Sequence, residues 1–260
     1  MGLQRKSDEG IIRPVKLKGD PEIGPDAVMV MVPPILEYIV SAHQARLSTF
    51  RDGPFYNLYR VRKRGYSIDL AGPFLGAPQA VMGMEKMIAL GAERIWVLGW
   101  AGSLQKDLRI GDLVIPTGAI SEEGTSQHYP IDGEKPVSNE TQNRILERAI
   151  NDAGISMSSG MVWTTDAPYR ETPAKVRAYQ EKGVLAVEME LAALMSLAIY
   201  RSVKIGGVLI ISDELFDLKW KRGFSSHELK KNSQIAGDVL LHLIAATQQS
   251  LEMTSDEHGR

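Results

Sequence analysis

The sequence predicts an α/β fold, with a single domain in which helices flank a mixed central β-sheet. Short, unbroken apolar runs of strand length alternate with helical patterns through most of the 260 residues. Strands covered by helices on both faces have this continuous apolar character, whereas half-exposed strands alternate. No linker, low-complexity run or internal repeat divides the chain, so one domain over residues 26–249 is the simplest organisation.

The first half follows a polar N-terminal arm over residues 1–25. Pro33-Pro34 ends the first apolar run, and Lys63-Arg64-Gly65 separates two strand-like segments, which predicts a hairpin. The predicted series is a strand at 27–32, a helix at 35–45, a hairpin of 55–61 with 66–70, a helix at 78–90, a strand at 94–98, a tight turn at Gly99–Gly102 and a strand from 113.

The second half is richer in helices and ends in a predicted flexible tail over residues 250–260. Helices are predicted at 139–153, 173–182, 190–201 and 225–248, and strands at 160–164 and 205–211. In sheets of this class, ligands bind beyond the carboxyl ends of the strands. We therefore expect the informative polar residues just after strands.

Composition excludes several classes of function. Lys and Arg total 30 against 32 Asp and Glu, a formal net charge of −2, which gives no electrostatic reason to expect nucleic acid or a membrane surface as partner. There is no cysteine, and the five His are scattered, so neither a metal site nor an organic cofactor is expected. No apolar stretch reaches the ~20 residues of a membrane span, and no signal peptide is visible, so we expect a cytoplasmic protein.

Two acidic segments carry candidate chemistry. Glu188 and Glu190 flank Met189 where a helix opens; one carboxylate could enter a pocket, or the segment could be an ordinary helix start with Met189 in the core. Ser212-Asp213 leaves an uncharged strand, where partial burial would raise the pKa of an acid toward proton donation. A helix N-cap explains the second segment equally well.

These segments occur in the same order as in the nucleoside phosphorylase family of the hexameric purine nucleoside phosphorylase and uridine phosphorylase type, which the chain resembles over roughly residues 27–247. The family includes nucleosidases acting on methylthioadenosine and adenosylhomocysteine. The matching pieces are Gly76-Ala77-Pro78, Glu85, Leu90–Ile95, Gly99–Gly102, Gly111–Val114, Glu123–Ser126, His128-Tyr129, Thr165-Asp166, Tyr169, Glu188-Met189-Glu190 and Ser212-Asp213.

The resemblance implies a barrel-like mixed sheet and a role for several residues. Glu190 is expected to accept hydrogen bonds from the ribose hydroxyls, Met189 to lie beneath the sugar, and Asp213 to protonate N7 of a leaving purine. The remaining residues of the expected substrate site are Glu188, Tyr169, Trp100, Gly99 and Ser212. Pyrimidine-specific relatives lack an Asp at position 213, so a purine-type base is preferred. The family forms dimers or hexamers, so a homo-oligomer is expected.

The resemblance breaks at the phosphate site. The family's loop arginine after the first strand is absent, since residues 32–37 read VPPILE, and a second arginine position holds Val97. The hydroxyl residue of the glycine segment is replaced by Trp100. An arginine from a partner subunit could correspond to Arg46, Arg51 or Arg60.

These losses leave the attacking group open. Phosphorolysis, with phosphate as co-substrate, is the first hypothesis. In the alternative, Glu37 acts as general base for hydrolysis, as a Glu near this place does in the nucleosidase branch, although an exposed Glu in a first helical turn is an equal explanation. A degenerate nucleoside-binding protein without turnover is the third hypothesis, and a protein-interaction domain ranks last.

Overall fold

The computed structural model describes the backbone of residues 10–48 and 55–258 and the side chains through Ser250. Within these residues, ten strands and six helices form one α/β unit. The strands are β1 (Asp26–Val30), β2 (Arg46–Ser48), β3 (Asn57–Lys63), β4 (Tyr66–Gly72), β5 (Arg94–Ser103), β6 (Leu113–Glu122), β7 (Met157–Thr165), β8 (Ala186–Glu188), β9 (Lys204–Glu214) and β10 (Lys221–Arg222). The helices are α1 (Pro33–Ala42), α2 (Ala77–Leu90), α3 (Glu140–Asp152), α4 (Pro173–Glu181), α5 (Leu191–Arg201) and α6 (His227–His258).

Five of the strands close into a barrel. Around the ring, β5 pairs with β9, β9 with β6, β6 with β7, β7 with β8 and β8 with β5. The β9–β6 and β8–β5 pairs are antiparallel and the other three are parallel. Beyond β5, the sheet continues through β1, β4, β3 and β2. The predicted α/β fold with a mixed, barrel-like sheet is therefore confirmed.

Gly207 permits the close approach of β5 and β9. A Cβ atom at this position would lie 2.4 Å from the carbonyl oxygen of Val97 on the neighbouring strand. No real side chain tolerates such a contact, so glycine is needed here. Position 207 in β9 therefore requires glycine for a steric reason, which the hydrophobic pattern of the strand does not show.

Helices cover the sheet from two sides. Helices α1, α3 and α6 pack around one core cluster, which contains the buried side chains of Ile35, Leu146 and Leu241. Helices α2 and α5 pack against each other around the second, which contains Met84 and Leu194. The unbroken apolar strands are buried between these layers, as the sequence pattern indicated.

The structure differs from the sequence expectations at two places. The prediction of a tight turn at Gly99–Gly102 is wrong, because β5 continues to Ser103 and pairs with β9 and β8. The pairing with β9 has a register shift between Ala101 and Gly102. Helix α6 runs through most of the expected tail, to His258. The described end of the predicted arm contacts the domain, since Asp20 forms a buried ion pair with Lys86 over 2.8 Å.

Candidate active site

A cavity of about 1030 Å³ lies where several strands end. Its wall includes Met31 after β1, Trp100 and Gly102 near the end of β5, Glu190 after β8, and Asp213 near the end of β9. These positions lie at the carboxyl ends of their strands, which is where ligands bind in α/β sheets. The volume is at the upper end of the range for small-molecule sites.

Glu190 and Glu188 are both buried but have different surroundings. Glu190 Oε1 accepts a hydrogen bond from the Gly76 amide, the N-cap residue of α2, over 2.6 Å. Glu188 Oε2 accepts from the amides of Glu190 and Leu191, each over 2.7 Å, and Glu188 Oε1 accepts from the Thr164 hydroxyl. Both oxygens of Glu188 are thus engaged with protein donors, and Glu188 fixes the backbone from which Glu190 projects.

Burial raises the pKa of both carboxyls. For Glu190, the negative charge of Glu188 raises the pKa further. For Glu188, burial outweighs the hydrogen bonds from Thr164 and from the Glu190 and Leu191 amides, which lower the pKa. Two carboxylates this close cannot both ionise without cost, so the pair favours retention of a proton.

Asp213 lies near the end of β9, partly buried, with a donor on each oxygen. Ser212 Oγ donates to Oδ1 over 2.7 Å, and the indole Nε1 of Trp220 donates to Oδ2 over 2.8 Å. Burial raises the pKa of Asp213 despite these two hydrogen bonds, which oppose the shift. A Cβ at Gly102 would come within 3.1 Å of Asp213 Oδ2 and 2.5 Å of Leu215 Cδ1, so glycine keeps this wall of the cavity open.

The structure brings most of the expected site residues to this one cavity. Asp213, Ser212, Glu188, Met189, Glu190, Trp100 and Tyr169 all line it. The ring of Trp100 stacks on Phe224, with its Nε1 donating to Ser233 Oγ over 3.0 Å. Tyr169 is 93% exposed and lies at the mouth.

Gly99 and Glu37 are not brought to the cavity. Gly99 lies inside β5, where a Cβ would contact the side chain of Met31 at 3.1 Å. Glu37 is exposed on α1 and does not line the cavity. The structure therefore does not place the Glu37 side chain among the cavity carboxylates.

Sequence analysis missed three residues that shape the site. Glu171, Trp220 and Phe224 line the cavity but follow no strand that the sequence predicts. Trp220 and Phe224 belong to the segment between β9 and α6, and their rings meet edge to face. The sequence could have indicated two of them, because Glu171 lies close to Tyr169 and Trp220 lies close to Asp213 along the chain.

The lining of the cavity is acidic and aromatic. Among the described residues, no Lys, Arg or His lines it, whereas Glu171, Glu188, Glu190 and Asp213 do. Of the three candidate partner arginines, Arg46 is exposed on the short strand β2 and Arg60 forms an ion pair with the buried Asp69 over 2.8 Å. Arg51 lies outside the described residues.

The described part of the chain offers neither a metal site nor a membrane span. No group of three or more His, Asp or Glu side chains there could hold a metal ion. None of the described helices combines the length and apolar character needed to cross a membrane.

Comparisons with known proteins agree with the geometry. The family model described as the phosphorylase superfamily matches residues 27–247. The guanosine phosphorylase of Halorubrum lacusprofundi is 28% identical over 74% of this chain and 81% of its own length. The uridine phosphorylase of Treponema pallidum is 34% identical over 53% of this chain, and a DeoD-type purine nucleoside phosphorylase of Bacillus cereus is 29% identical over 59%. These two matches span 57% and 66% of the respective relatives.

Solved structures share the fold at lower identity. Purine nucleoside phosphorylase of Toxoplasma gondii, in complex with immucillin-H, superimposes with a TM-score of 0.79 at 21% identity, over 88% of this chain and 93% of that one. Uridine phosphorylase of Vibrio fischeri gives a TM-score of 0.77 at 18% identity, over 87% and 95%. At these identities the likeness concerns the fold.

Proposed function

Because this chain belongs to the phosphorylase superfamily, the family of nucleoside phosphorylases, we propose that it cleaves the N-glycosidic bond of a purine-type nucleoside, with phosphate as the attacking group. One observation carries the proposal: Glu190 and Asp213, which the family resemblance assigns to the sugar and the base, line the same cavity. The names of the relatives include guanosine and purine nucleoside phosphorylases as well as uridine phosphorylases.

In the proposed reaction each carboxyl acts at one end of the nucleoside. Glu190 accepts hydrogen bonds from the 2′ and 3′ hydroxyls, which orients the ribose, and the single negative charge that the Glu188–Glu190 pair keeps offsets the positive charge that develops on the sugar. Protonated Asp213 donates to N7 while the C1′–N9 bond breaks and its electron pair passes to the base. A phosphate oxygen forms the new bond to C1′, giving the free base and ribose 1-phosphate.

Glu188 acts through Glu190 in this proposal. Its two oxygens accept hydrogen bonds from Thr164 and from the amides of Glu190 and Leu191, which leaves it fewer lone pairs for the substrate. We therefore assign Glu188 to positioning the ribose-binding carboxylate, and Met189 between them to the apolar contact with the sugar.

Hydrolysis is the second candidate, and the charge of the cavity favours it. A phosphate dianion needs cationic donors to offset its desolvation, and no Lys, Arg or His is found among the described lining residues. Water has no such requirement. A cavity carboxylate, rather than the exposed Glu37, would then take the proton from the attacking water, and ribose would replace ribose 1-phosphate as product.

We also propose that the active form is a homo-oligomer, a dimer or a hexamer. Phe55 and Leu75 line the cavity and yet are 58% and 76% exposed, and Met82 on α2 is 52% exposed. Apolar side chains of this size beside a binding site suit a subunit boundary. Light scattering coupled to size exclusion tests this, and a monomer at micromolar concentration would contradict it.

The deciding experiment supplies guanosine, inosine, adenosine, methylthioadenosine and uridine separately, with and without phosphate, and quantifies released base and sugar. Purine release that requires phosphate and yields ribose 1-phosphate supports the proposal. Equal release without phosphate transfers the assignment to hydrolysis. Saturable binding with no release by either route, or release from uridine alone, contradicts cleavage of a purine nucleoside.

A further inference from the structure

Three aromatic side chains of the cavity wall form a continuous cluster that neither proposed step uses as apolar surface. The rings of Trp100 and Phe224 stack with their centroids 6.1 Å apart, and Trp220 meets Phe224 edge to face at 6.3 Å. Trp220 and Phe224 line the cavity and yet are 54% and 51% exposed, so a large part of each side chain is not covered by the described protein. We call Trp100, Trp220 and Phe224 the aromatic cluster.

Contacts behind the rings hold the aromatic cluster in place. The guanidinium of Arg222 lies over the face of the Trp220 ring, 5.0 Å from its centroid. The amide of Gly223 donates to the Ser212 carbonyl over 2.9 Å, which ties the residue before Phe224 to β9. The rings are therefore positioned before a ligand arrives, and little conformational freedom is lost when one binds.

The aromatic cluster offers a ligand apolar surface rather than hydrogen bonds. Trp100 Nε1 donates to Ser233 Oγ over 3.0 Å. Trp220 Nε1 donates to Asp213 Oδ2 over 2.8 Å. Both indole donors are thus engaged by the protein, and neither an indole nor a phenyl ring has a further polar atom. Contact with carbon atoms of a ligand would stabilise the complex, because it removes this apolar surface from water.

The aromatic cluster adjoins the group that is proposed to meet the base. Trp220 contacts Asp213 directly through its indole N–H. Leu215 adds apolar surface at the same place, because its Cδ1 atom and Asp213 Oδ2 lie 2.5 and 3.1 Å from the position that a Cβ atom would take at Gly102. In the proposed reaction Asp213 meets N7 of the purine, and the substituent at position 6 shares that edge of the ring. A group at position 6 therefore leaves the base beside the cluster.

The cavity has room for such a group. Its volume of about 1030 Å³ is at the upper end of the range for drug-sized ligands, and an unsubstituted nucleoside is smaller than these. A nucleoside with nothing but an amino group at position 6 would leave the rings of the cluster in contact with water, at a cost in binding free energy.

We propose that the aromatic cluster is a subsite for an apolar substituent at position 6 of the purine, so that the preferred substrate is a nucleoside whose 6-amino group carries an aryl or branched alkyl group. This inference rests on the proposed function, which puts Asp213 at N7. Aromatic rings pack on one another stacked or edge to face, and the cluster presents both a ring face and ring edges, so an aryl group fits best.

Phe55 offers a matched control at the ribose end of the cavity. Its carbonyl accepts a hydrogen bond from Gln79 on α2, the helix whose N-cap amide, that of Gly76, binds Glu190. Phe55 lines the cavity and is about as exposed as Phe224. Phe55→Ala therefore removes the same ring as Phe224→Ala, but away from Asp213.

The test compares kcat/KM for adenosine, N⁶-benzyladenosine and N⁶-(2-hydroxyethyl)adenosine in the native chain, in Phe224→Ala and in Phe55→Ala. The native chain should prefer N⁶-benzyladenosine over adenosine by about 10- to 100-fold, the range for placing a small apolar group in an apolar pocket. The hydroxyethyl analogue, which ends in a polar group, should show no such gain. Phe224→Ala should lower the benzyl preference about 10-fold, and Phe55→Ala should keep it.

A binding measurement supplies a readout that does not depend on turnover. Calorimetry should show tighter binding of free N⁶-benzyladenine than of free adenine to the native chain, and a smaller difference in Phe224→Ala. A further substrate, 5′-benzylthio-5′-deoxyadenosine, carries the same aryl group at the sugar end. A gain with this compound alone would show that the apolar surface serves the sugar and would overturn the assignment.

The outcomes separate this inference from the proposed function. If the native chain cleaves purine nucleosides but gains nothing from the benzyl group, or if Phe224→Ala keeps the full preference, the aromatic cluster is not the subsite while the proposed function stands. Rings buried by a second copy of the chain would give the first of these results. If the native chain cleaves no nucleoside at all, the proposed function itself fails.

Discussion

Trp220 and Asp213 are joined by a hydrogen bond in which the indole Nε1 donates to Oδ2 over 2.8 Å. The bond stabilises the ionised form of Asp213, whereas burial raises the pKa of the same group and favours the protonated form. Whether Asp213 carries a proton therefore depends on the balance between the hydrogen bond from Trp220 and the desolvation of the carboxyl group.

Trp220→Phe is predicted to shift the pH dependence of cleavage. Loss of the indole donor raises the pKa of Asp213 further. Because the protonated form donates to the base in the proposed reaction, the decline of kcat/KM with rising pH should move to higher pH. Phe224→Leu is the control, since it removes the ring beside Trp220 and leaves the donor. A pH profile that is the same in the native chain and in Trp220→Phe would show that Trp220 does not tune Asp213.

Asp213→Asn is predicted to slow purine release by about 10²- to 10⁴-fold, the contribution of a positioned general acid. The amide keeps the shape of the side chain but cannot transfer the proton to N7. The measurement is kcat with the best purine nucleoside. Asp217→Asn, an exposed position that is not part of the lining, should retain native turnover. Unchanged release in Asp213→Asn would remove this residue from the acid role.

Glu190→Gln is predicted to weaken engagement of the ribose. The Gln oxygen can still accept from the Gly76 amide, but the charged acceptor for the sugar hydroxyls is lost, so kcat/KM should fall about 10- to 100-fold. The 2′-deoxynucleoside of the same base serves as the matched substrate, and its smaller loss would locate the effect at the hydroxyl. Equal losses on both substrates would argue against contact with the 2′ hydroxyl.

Glu171→Gln is predicted to change how stability depends on pH. The pKa of Glu171 is raised from 4.5 to about 7 in the folded chain. The folded state thus holds this proton more tightly than the unfolded state, and the native free energy of unfolding loses a contribution as pH rises from about 4.5 to about 7. The variant lacks this loss.

Urea unfolding at pH 5 and pH 8 measures this effect. The free energy of unfolding of Glu171→Gln, relative to the native chain, should be greater at pH 8 than at pH 5, while Glu181→Gln, at an exposed position on α4, should show no such difference. Glu188 and Glu190 contribute the same pH trend to both chains and cancel in the comparison. A variant that is relatively less stable at pH 8 would mean that the Glu171 carboxylate has a stabilising partner in the native chain.

Apolar pattern was enough to predict most long elements. The alternation of unbroken runs and helical segments gave the α/β class, the hairpin of β3 with β4, and five of the six described helices to within a few residues. Three short strands, β2, β8 and β10, have only two or three residues, too few for any periodicity to indicate. Barrel closure entered through the family resemblance, because it depends on which strands meet and no local pattern encodes that.

Only part of the site could be predicted, because local sequence patterns do not encode which segments meet in the fold. Asp213 lies near the end of a long apolar strand, so its position near the sheet edge is encoded locally, whereas the sequence placed Glu190 only at the opening of a helix. The glycines at 99 and 102 indicated a turn, but here the absence of side chains serves packing: Met31 and Leu215 occupy the space where Cβ atoms would be. Glu171 and Trp220 come from irregular segments, whose course is set by the surrounding tertiary structure.

The hydrogen bond from Gly76 to Glu190 ties the beginning of α2 to the beginning of α5, two helices that also pack against each other. Its donor is a main-chain amide, so at position 76 only proline would remove it, and with Glu190 in place the bond otherwise breaks only when the α2 backbone shifts. Small displacements between these helices, caused by a buried substitution such as Met84→Ala, would therefore misplace the Glu190 carboxylate, which we propose binds the sugar. The turnover rate would then respond to a small change in the relative position of α2 and α5 more strongly than the free energy of unfolding does.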